Sequence, residues 1–175
     1  MKLHLGCGNK KIKGYINIDT RYAPNVDEIN NVKYLRNYNK STVSVIYASH
    51  VLEHFSRHEY RSVLERWFEL LEDGGILRLA VPNFSAVVEH YLKYKDLNKL
   101  MGILYGGQDY AENFHMVIFD FDLLKNELIN IGFKSVLPYD HTKTEHSMVD
   151  DFSKAYLPHM DPNGILMSLN IEAIK

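Results

Sequence analysis

Residues 3–9, LHLGCGN, constrain the fold of this chain more than any other stretch. A short apolar run, residues 2–5, ends in Gly-x-Gly at Gly6–Gly8. Two glycines closing a strand predict a turn at the carboxyl edge of a parallel sheet. There the backbone has to approach a ligand closely, and a Cβ would block it. Only six residues, 9–14, separate Gly8 from the next strand pattern, residues 15–19 (YINID). Six residues are too few for a crossover helix, so the first connection is expected as a tight loop, with Lys10, Lys11 and Lys13 facing solvent.

The acid that closes the second strand, Asp19, adds to the glycine loop. A carboxylate at that strand end can accept hydrogen bonds from both hydroxyls of a ribose. A dinucleotide fingerprint needs a third glycine three positions after the second. Lys11 stands there, which disfavours a nicotinamide oxidoreductase.

The rest of the chain alternates strand and helix patterns. Residues 26–29 read as a weak third strand and residues 43–48 as a buried, β-branched one. Ser56 and Glu59 fit a capping box ahead of Leu64, Trp67, Phe68 and Leu71 at helical spacing, and Gly74-Gly75 are expected to end that helix. Residues 76–81 form a strand that Pro82 stops. Asn83 caps a helix that carries Val87, Val88, Tyr91 and Leu92. Residues 101–119 look irregular. Asp120 caps a helix that Gly132 follows, residues 133–137 form a strand, residues 138–163 a long loop, and residues 165–174 a closing strand. This order predicts a single α/β domain over 1–175: a doubly wound, mainly parallel, seven-stranded-type sheet with an antiparallel edge.

Charge and cysteine content narrow the function classes. The net charge is −2, against binding of nucleic acid by bulk charge. Residues 1–40 carry eight lysines and arginines against three acids, leaving the remainder acidic. Cys7 is the sole cysteine, so there is no intrachain disulfide and no cysteine-based metal site. Met1 leads directly into the first strand without a signal-peptide pattern, and no apolar run reaches the roughly 18 residues of a membrane span. A cytoplasmic protein without a membrane partner is expected.

Taken together, LHLGCGN, GYINID, IYASHVLEHF and LEDGGILRLAVPNF resemble the class I S-adenosylmethionine-dependent methyltransferases, in their small, type 11-like methyltransferase-domain branch. The resemblance runs from Lys2 to the closing SLNIEAIK. It implies a Rossmann-like fold and S-adenosylmethionine as cofactor, with S-adenosylhomocysteine as product. Gly6, Cys7 and Gly8 would line the methionine end, Asp19 would hold the ribose, and Asn31 and Val32 would fall at the adenine, where the family usually places an acid. Ser49 and His50 would lie beside the reacting sulfonium. A GGQ…H stretch like residues 106–115 lies over the active site in that branch, which makes His115 a second expected catalytic residue with His50.

Histidine suits a general base because its unperturbed pKa is about 6.5. His54 is expected to be packed and His58 solvated. His141, His146 and His159 lack acids at ligand spacing, so no metal is expected. The acceptor site would come from residues 101–119, with Tyr105, Tyr110 and Phe114 as walls, and from residues 138–163, with Asp150 and Asp151. The expected activity is methyl transfer to a small polar acceptor, a sugar or related metabolite hydroxyl. The alternative is an S-adenosylmethionine-binding module that supports a partner protein without turnover.

Overall fold

The computed structural model describes residues 1–159 and 161–175. Strands β1 (Lys2–Leu5), β2 (Ile16–Asp19), β3 (Glu28–Ile29), β4 (Val43–Ser49), β5 (Leu71–Pro82), β6 (Ser135–Pro138) and β9 (Ser168–Ile174) form one sheet in the order β3-β2-β1-β4-β5-β9-β6. Strands β1 to β5 are parallel, and β9 runs antiparallel between β5 and β6. A separate ribbon pairs β7 (Tyr156–Leu157) with β8 (Ile165–Leu166). The helices are α1 (Tyr60–Leu70), α2 (Phe84–Tyr94), α3 (Met101–Tyr105) and α4 (Phe121–Ile131). Among the described residues no helix is long and apolar enough to cross a membrane.

The two-residue period of the strands separates two unlike faces. Leu3 and Leu5, Ile46 and Ala48, Leu77 and Leu79, and Ile171 and Ala173 join one core with Leu64, Trp67, Leu124 and Leu128 of α1 and α4. Trp67 is fully buried there and its Nε1–H donates to the Val32 carbonyl at 2.8 Å. The opposite face carries His4, Asn17, Tyr47, Arg78, Asn170 and Glu172. As expected from the six-residue link, no helix joins β1 to β2. The Asn17 side chain holds that link instead. It accepts from the Ile12 amide (2.8 Å) and from His4 Nδ1 (3.0 Å), and donates to the carbonyls of Ile12 and Tyr15 and to Asp27.

Part of the late segment, residues 138–163, covers this polar face. His146 stacks on Tyr47 at 3.9 Å between ring centroids and accepts from Arg78 Nη1 at 3.2 Å. Arg78 also donates to Glu145 (2.9 Å) and Glu172 (2.7 Å), and Tyr47 Oη donates to Asp151 at 2.6 Å. Burial, followed by the adjacent Arg78 charge, holds the His146 imidazole down to about 4. The buried cation is thus paired on both sides, as a charge in a low-dielectric site requires.

Several local expectations change. Helix α1 stops at Leu70, and Gly74-Gly75 lie in an irregular part of β5, where the pairing with β4 shifts between Val43 and Val45. Pairing with β4 outcompetes the three further helical residues that a stop at Gly74 would give. The capping box is half formed: Glu59 reaches back to the Ser56 amide and hydroxyl, but the helix begins at Tyr60 with no side-chain cap. Helix α2 is capped by Asn83 as expected, with Oδ1 accepting from the Ser85 amide at 3.1 Å. It buries Ala86, Val87 and His90, while Val88, Tyr91 and Leu92 are exposed. It is apolar on two sides, and the cluster it joins with Leu100, Met167 and their neighbours covers only one. Residues 101–119 contain a short helix, α3, and residues 165–174 split at Met167 into β8 and β9.

Candidate active site

The carboxyl ends of β1, β2 and β4 meet at one edge of the sheet, since Leu5 pairs with both Ile18 and Ala48. Gly6 leaves β1 with φ +62°, and a Cβ there would lie 2.3 Å from Val51 Cγ2. Only glycine combines that conformation with that approach. The Cys7 amide donates to the Ile18 carbonyl at 3.1 Å, tying the loop to β2. The Cys7 side chain is buried, and burial with the nearby Asp19 charge pushes its thiol up to about 12. It is therefore a packing group. Gly8 has φ +54° with no atom within 4 Å of a Cβ position.

Asp19 accepts from the Gly8 amide at 2.8 Å through Oδ2 and from the Arg21 amide at 2.9 Å through Oδ1. A carboxylate offers about four acceptor positions, so two remain for a ligand. A cleft of about 310 Å³ opens there, lined by Gly8, Asn9, Asp19, Arg21, Tyr22 and Ala23. Tyr110 reaches the same place: the Arg21 guanidinium lies 3.5 Å from its ring centroid. Of the two residues expected at the adenine, Asn31 is exposed and bends its own loop, with Oδ1 accepting from the Lys33 amide at 2.9 Å. Val32 is buried in the main core, so its side chain packs against the protein and does not line the cleft.

Ser49 ends β4 with a buried hydroxyl that has no hydrogen-bond partner among the described residues. His50 follows in the left-handed region, φ +53°, and its amide donates to Ala80 at 2.8 Å. Its ring is turned inward. Nδ1 is 3.2 Å from Glu53 Oε1, Nε2 is 3.4 Å from Ser168 Oγ, and Phe152 lies over it at 5.2 Å. His115 is enclosed as well. Its Nδ1–H donates to the Ile103 carbonyl at 2.9 Å, while Nε2 faces Glu53 Oε1 at 3.8 Å. Burial holds the His115 imidazole below its ordinary value.

The two histidines singled out in the sequence thus converge on a third residue, Glu53, which sequence reasoning missed. Glu53 is fully buried in the 3₁₀ turn Leu52–His54. Burial opposes its charge, but the histidines around it outweigh that and keep it a carboxylate. The available signal was an acid between apolar Leu52 and two nearby histidines in SHVLEH.

The loop that carries His115 is pinned to this turn. The Met116 amide donates to the Glu53 carbonyl at 2.8 Å, His115 to Tyr105 at 3.1 Å, and Gln108 to Asn113 at 2.9 Å. A Cβ on Gly106 would lie 2.4 Å from the Asn113 carbonyl, so this glycine serves close packing within the loop. Tyr105, Phe114 and Met116 stay exposed. Among residues 138–163, Phe152 reaches His50, whereas His141 and His146 are buried. A separate groove of about 390 Å³ between Lys33, Tyr34, Arg36, Ser62 and Arg66 lies against α1, away from the glycine loop.

Strand order decides among doubly wound folds. An antiparallel strand inserted between β5 and a β6 that lies at the sheet edge is found here together with a cleft at the β1 turn. The fold is that of the class I methyltransferases. An S-adenosylmethionine-dependent methyltransferase from Archaeoglobus fulgidus is 14% identical over 99% of this chain and 85% of its own, with a TM-score of 0.59. One from Methanosarcina mazei is 18% identical over 99% and 91%, also at 0.59. The Burkholderia thailandensis 1,6-didemethyltoxoflavin N1-methyltransferase, solved with its acceptor and S-adenosylhomocysteine, is 14% identical over 99% and 70%, at 0.59. No protein-family model and no curated protein matches the sequence.

Proposed function

We propose that this methyltransferase fold binds S-adenosylmethionine at Gly6–Gly8 and Asp19 and transfers its methyl group to a hydroxyl of a small polar acceptor, a sugar or related metabolite. The observation that carries this reading is the open side of Gly8 beside a carboxylate with two free acceptor positions. Those residues fit a ribose and the chain next to it. The bound small-molecule acceptor of the Burkholderia enzyme supports an acceptor of similar size. A cytoplasmic site of action, without nucleic acid, belongs to the same reading.

The cofactor supplies an activated methyl on a sulfonium, so the chain's task is approach and orientation. Gly8 and Asp19 hold the cofactor side, and the exposed Tyr105, Phe114 and Met116 of the loop offer apolar walls for the acceptor. When bound, the cofactor would give its methyl carbon to the acceptor oxygen and keep the carbon–sulfur electron pair on sulfur. The hydroxyl proton leaves to a base. His115 Nε2, whose lone pair is left free by the Nδ1 bond to Ile103, would take that role.

One observation favours binding without turnover: the rings of His50 and His115 are only 7% and 8% exposed and face Glu53. Calorimetry with S-adenosylhomocysteine tests the cofactor. Methyl-labelled S-adenosylmethionine, offered with a pool of sugars and nucleotide sugars and read by mass spectrometry, tests transfer. Micromolar binding with label in a product supports the enzyme. Binding without any label transferred favours the module, and no binding overturns both.

A further inference from the structure

Glu53, His54 and His115 raise a question that the cofactor cleft does not answer. Glu53 is fully buried, and neither carboxylate oxygen has a hydrogen-bond partner among the described residues. His50 Nδ1 lies 3.2 Å from Oε1. A carboxylate withdrawn from water with imidazole edges as its neighbours gains from a further positive charge.

Two histidines lie beside this acid, and His115 Nε2 faces its Oε1 at 3.8 Å. His54 Nδ1–H donates to the Phe114 carbonyl at 3.1 Å, and His115 Nδ1–H to the Ile103 carbonyl at 2.9 Å. Each ring therefore keeps a bare Nε2. The rings meet edge to face at 5.0 Å, and one donor atom from each of Glu53, His54 and His115 lies within 4.8 Å of the others. Backbone carbonyls fixing Nδ1–H are the usual second shell of a metal-binding histidine. Two lone pairs and a carboxylate without a shared positive charge would repel one another.

We propose that Glu53, His54 and His115 bind one divalent transition-metal ion through two imidazoles and one carboxylate. Small side-chain rotations bring donors at this spacing to bonds of about 2.0–2.2 Å. Imidazole favours zinc, iron, cobalt or nickel over magnesium or calcium. Three protein ligands leave coordination positions open, the pattern of reactive rather than purely structural sites. The fold delivers the ligands from two directions: Glu53 and His54 from the turn after β4, His115 from the loop docked on it by the Met116–Glu53 bond. The histidines of the late segment take no part. If the methyl-transfer reading holds, the ion takes the place of His115 as base: His115 Nε2 is then a ligand, and an acceptor hydroxyl bound to the ion would lose its proton more readily, to solvent.

The test uses the untagged chain, stripped with a chelator and titrated with cobalt(II) in the absence of S-adenosylmethionine. One equivalent with visible ligand-field absorption is expected, displaced by zinc. Zinc should also raise the thermal midpoint of the wild type. His54→Gln and His115→Gln, checked as folded by circular dichroism, should each weaken binding at least ~10-fold. His58→Gln, an exposed neighbour, should leave it unchanged. No cobalt uptake, no zinc-dependent midpoint shift, or equal affinity in the folded His115→Gln variant would overturn the site. Metal uptake is read without methyl transfer, so failure of either proposal is distinguishable from failure of the other.

Discussion

Replacing Gly6 and Gly8 by alanine separates two demands on the glycine loop. Both residues have positive φ, +62° and +54°, so an alanine at either costs about 1–2 kcal/mol in the left-handed region. At Gly8 the new methyl meets nothing within 4 Å; at Gly6 it would lie 2.3 Å from Val51 Cγ2. Overpacking of that kind adds about 1–3 kcal/mol. Gly6→Ala should therefore cost about 2–5 kcal/mol, a large share of a stability that is typically about 5–15 kcal/mol. Gly8→Ala should cost only the backbone part, yet weaken S-adenosylhomocysteine binding at least ~10-fold, since its methyl enters the cleft. Urea unfolding followed by the single tryptophan, Trp67, which is fully buried, gives the stabilities. Val51→Ala removes the clashing methyl groups, so the double variant should recover the steric part, with a favourable coupling of about 1–3 kcal/mol. Equal stability losses at Gly6 and Gly8, or a coupling near zero, would refute the packing argument.

Three further outcomes follow from other parts of the structure. Asp19→Ala should weaken S-adenosylhomocysteine binding at least ~10-fold and cost about 1–2 kcal/mol, because the Gly8 and Arg21 amides lose their acceptor; unchanged affinity by calorimetry removes Asp19 from the site. His146 is held near 4 when folded and returns to about 6.5 when unfolded, so its contribution is present above about 6.5 and is lost as pH falls toward 4. Urea unfolding across that window should lose up to about 3 kcal/mol on this account, with a shallower slope in His146→Gln; parallel slopes contradict it. Asn17→Ala strips the β1–β2 link of its side-chain hydrogen bonds and should cost about 2–4 kcal/mol in the same assay. A loss below ~1 kcal/mol would show that the backbone holds the link unaided.

Features that depend on one turn of chain were legible in the sequence. Asn83 and Asp120 cap α2 and α4 because each side-chain oxygen meets an amide two or three residues ahead. The missing first helix follows from a count of six residues. Where a local pattern competed with a distant partner, the distant partner won. Gly74-Gly75 suit a helix end, but β4 draws residues from Leu71 onward into the sheet. The apolar residues of α2 outnumber what Leu100, Met167 and their neighbours can cover, so periodicity alone could not say which side is buried.

The sequence by itself determined the strand that ends in Gly-x-Gly, the acid at the end of the next strand, and the alternation that makes the sheet parallel. Those are carried by bond geometry and by side-chain period within a few residues. Only the tertiary structure decided that His115 meets Glu53, that His146 lies on Tyr47, and that the last strand slips between β5 and β6. Each is a contact between distant parts of the chain, set by which buried polar groups find partners once the sheet has formed. No spacing in the sequence encodes such a match. The same reason hid Glu53: an acid between apolar neighbours shows its environment only when the loop that covers it is in place.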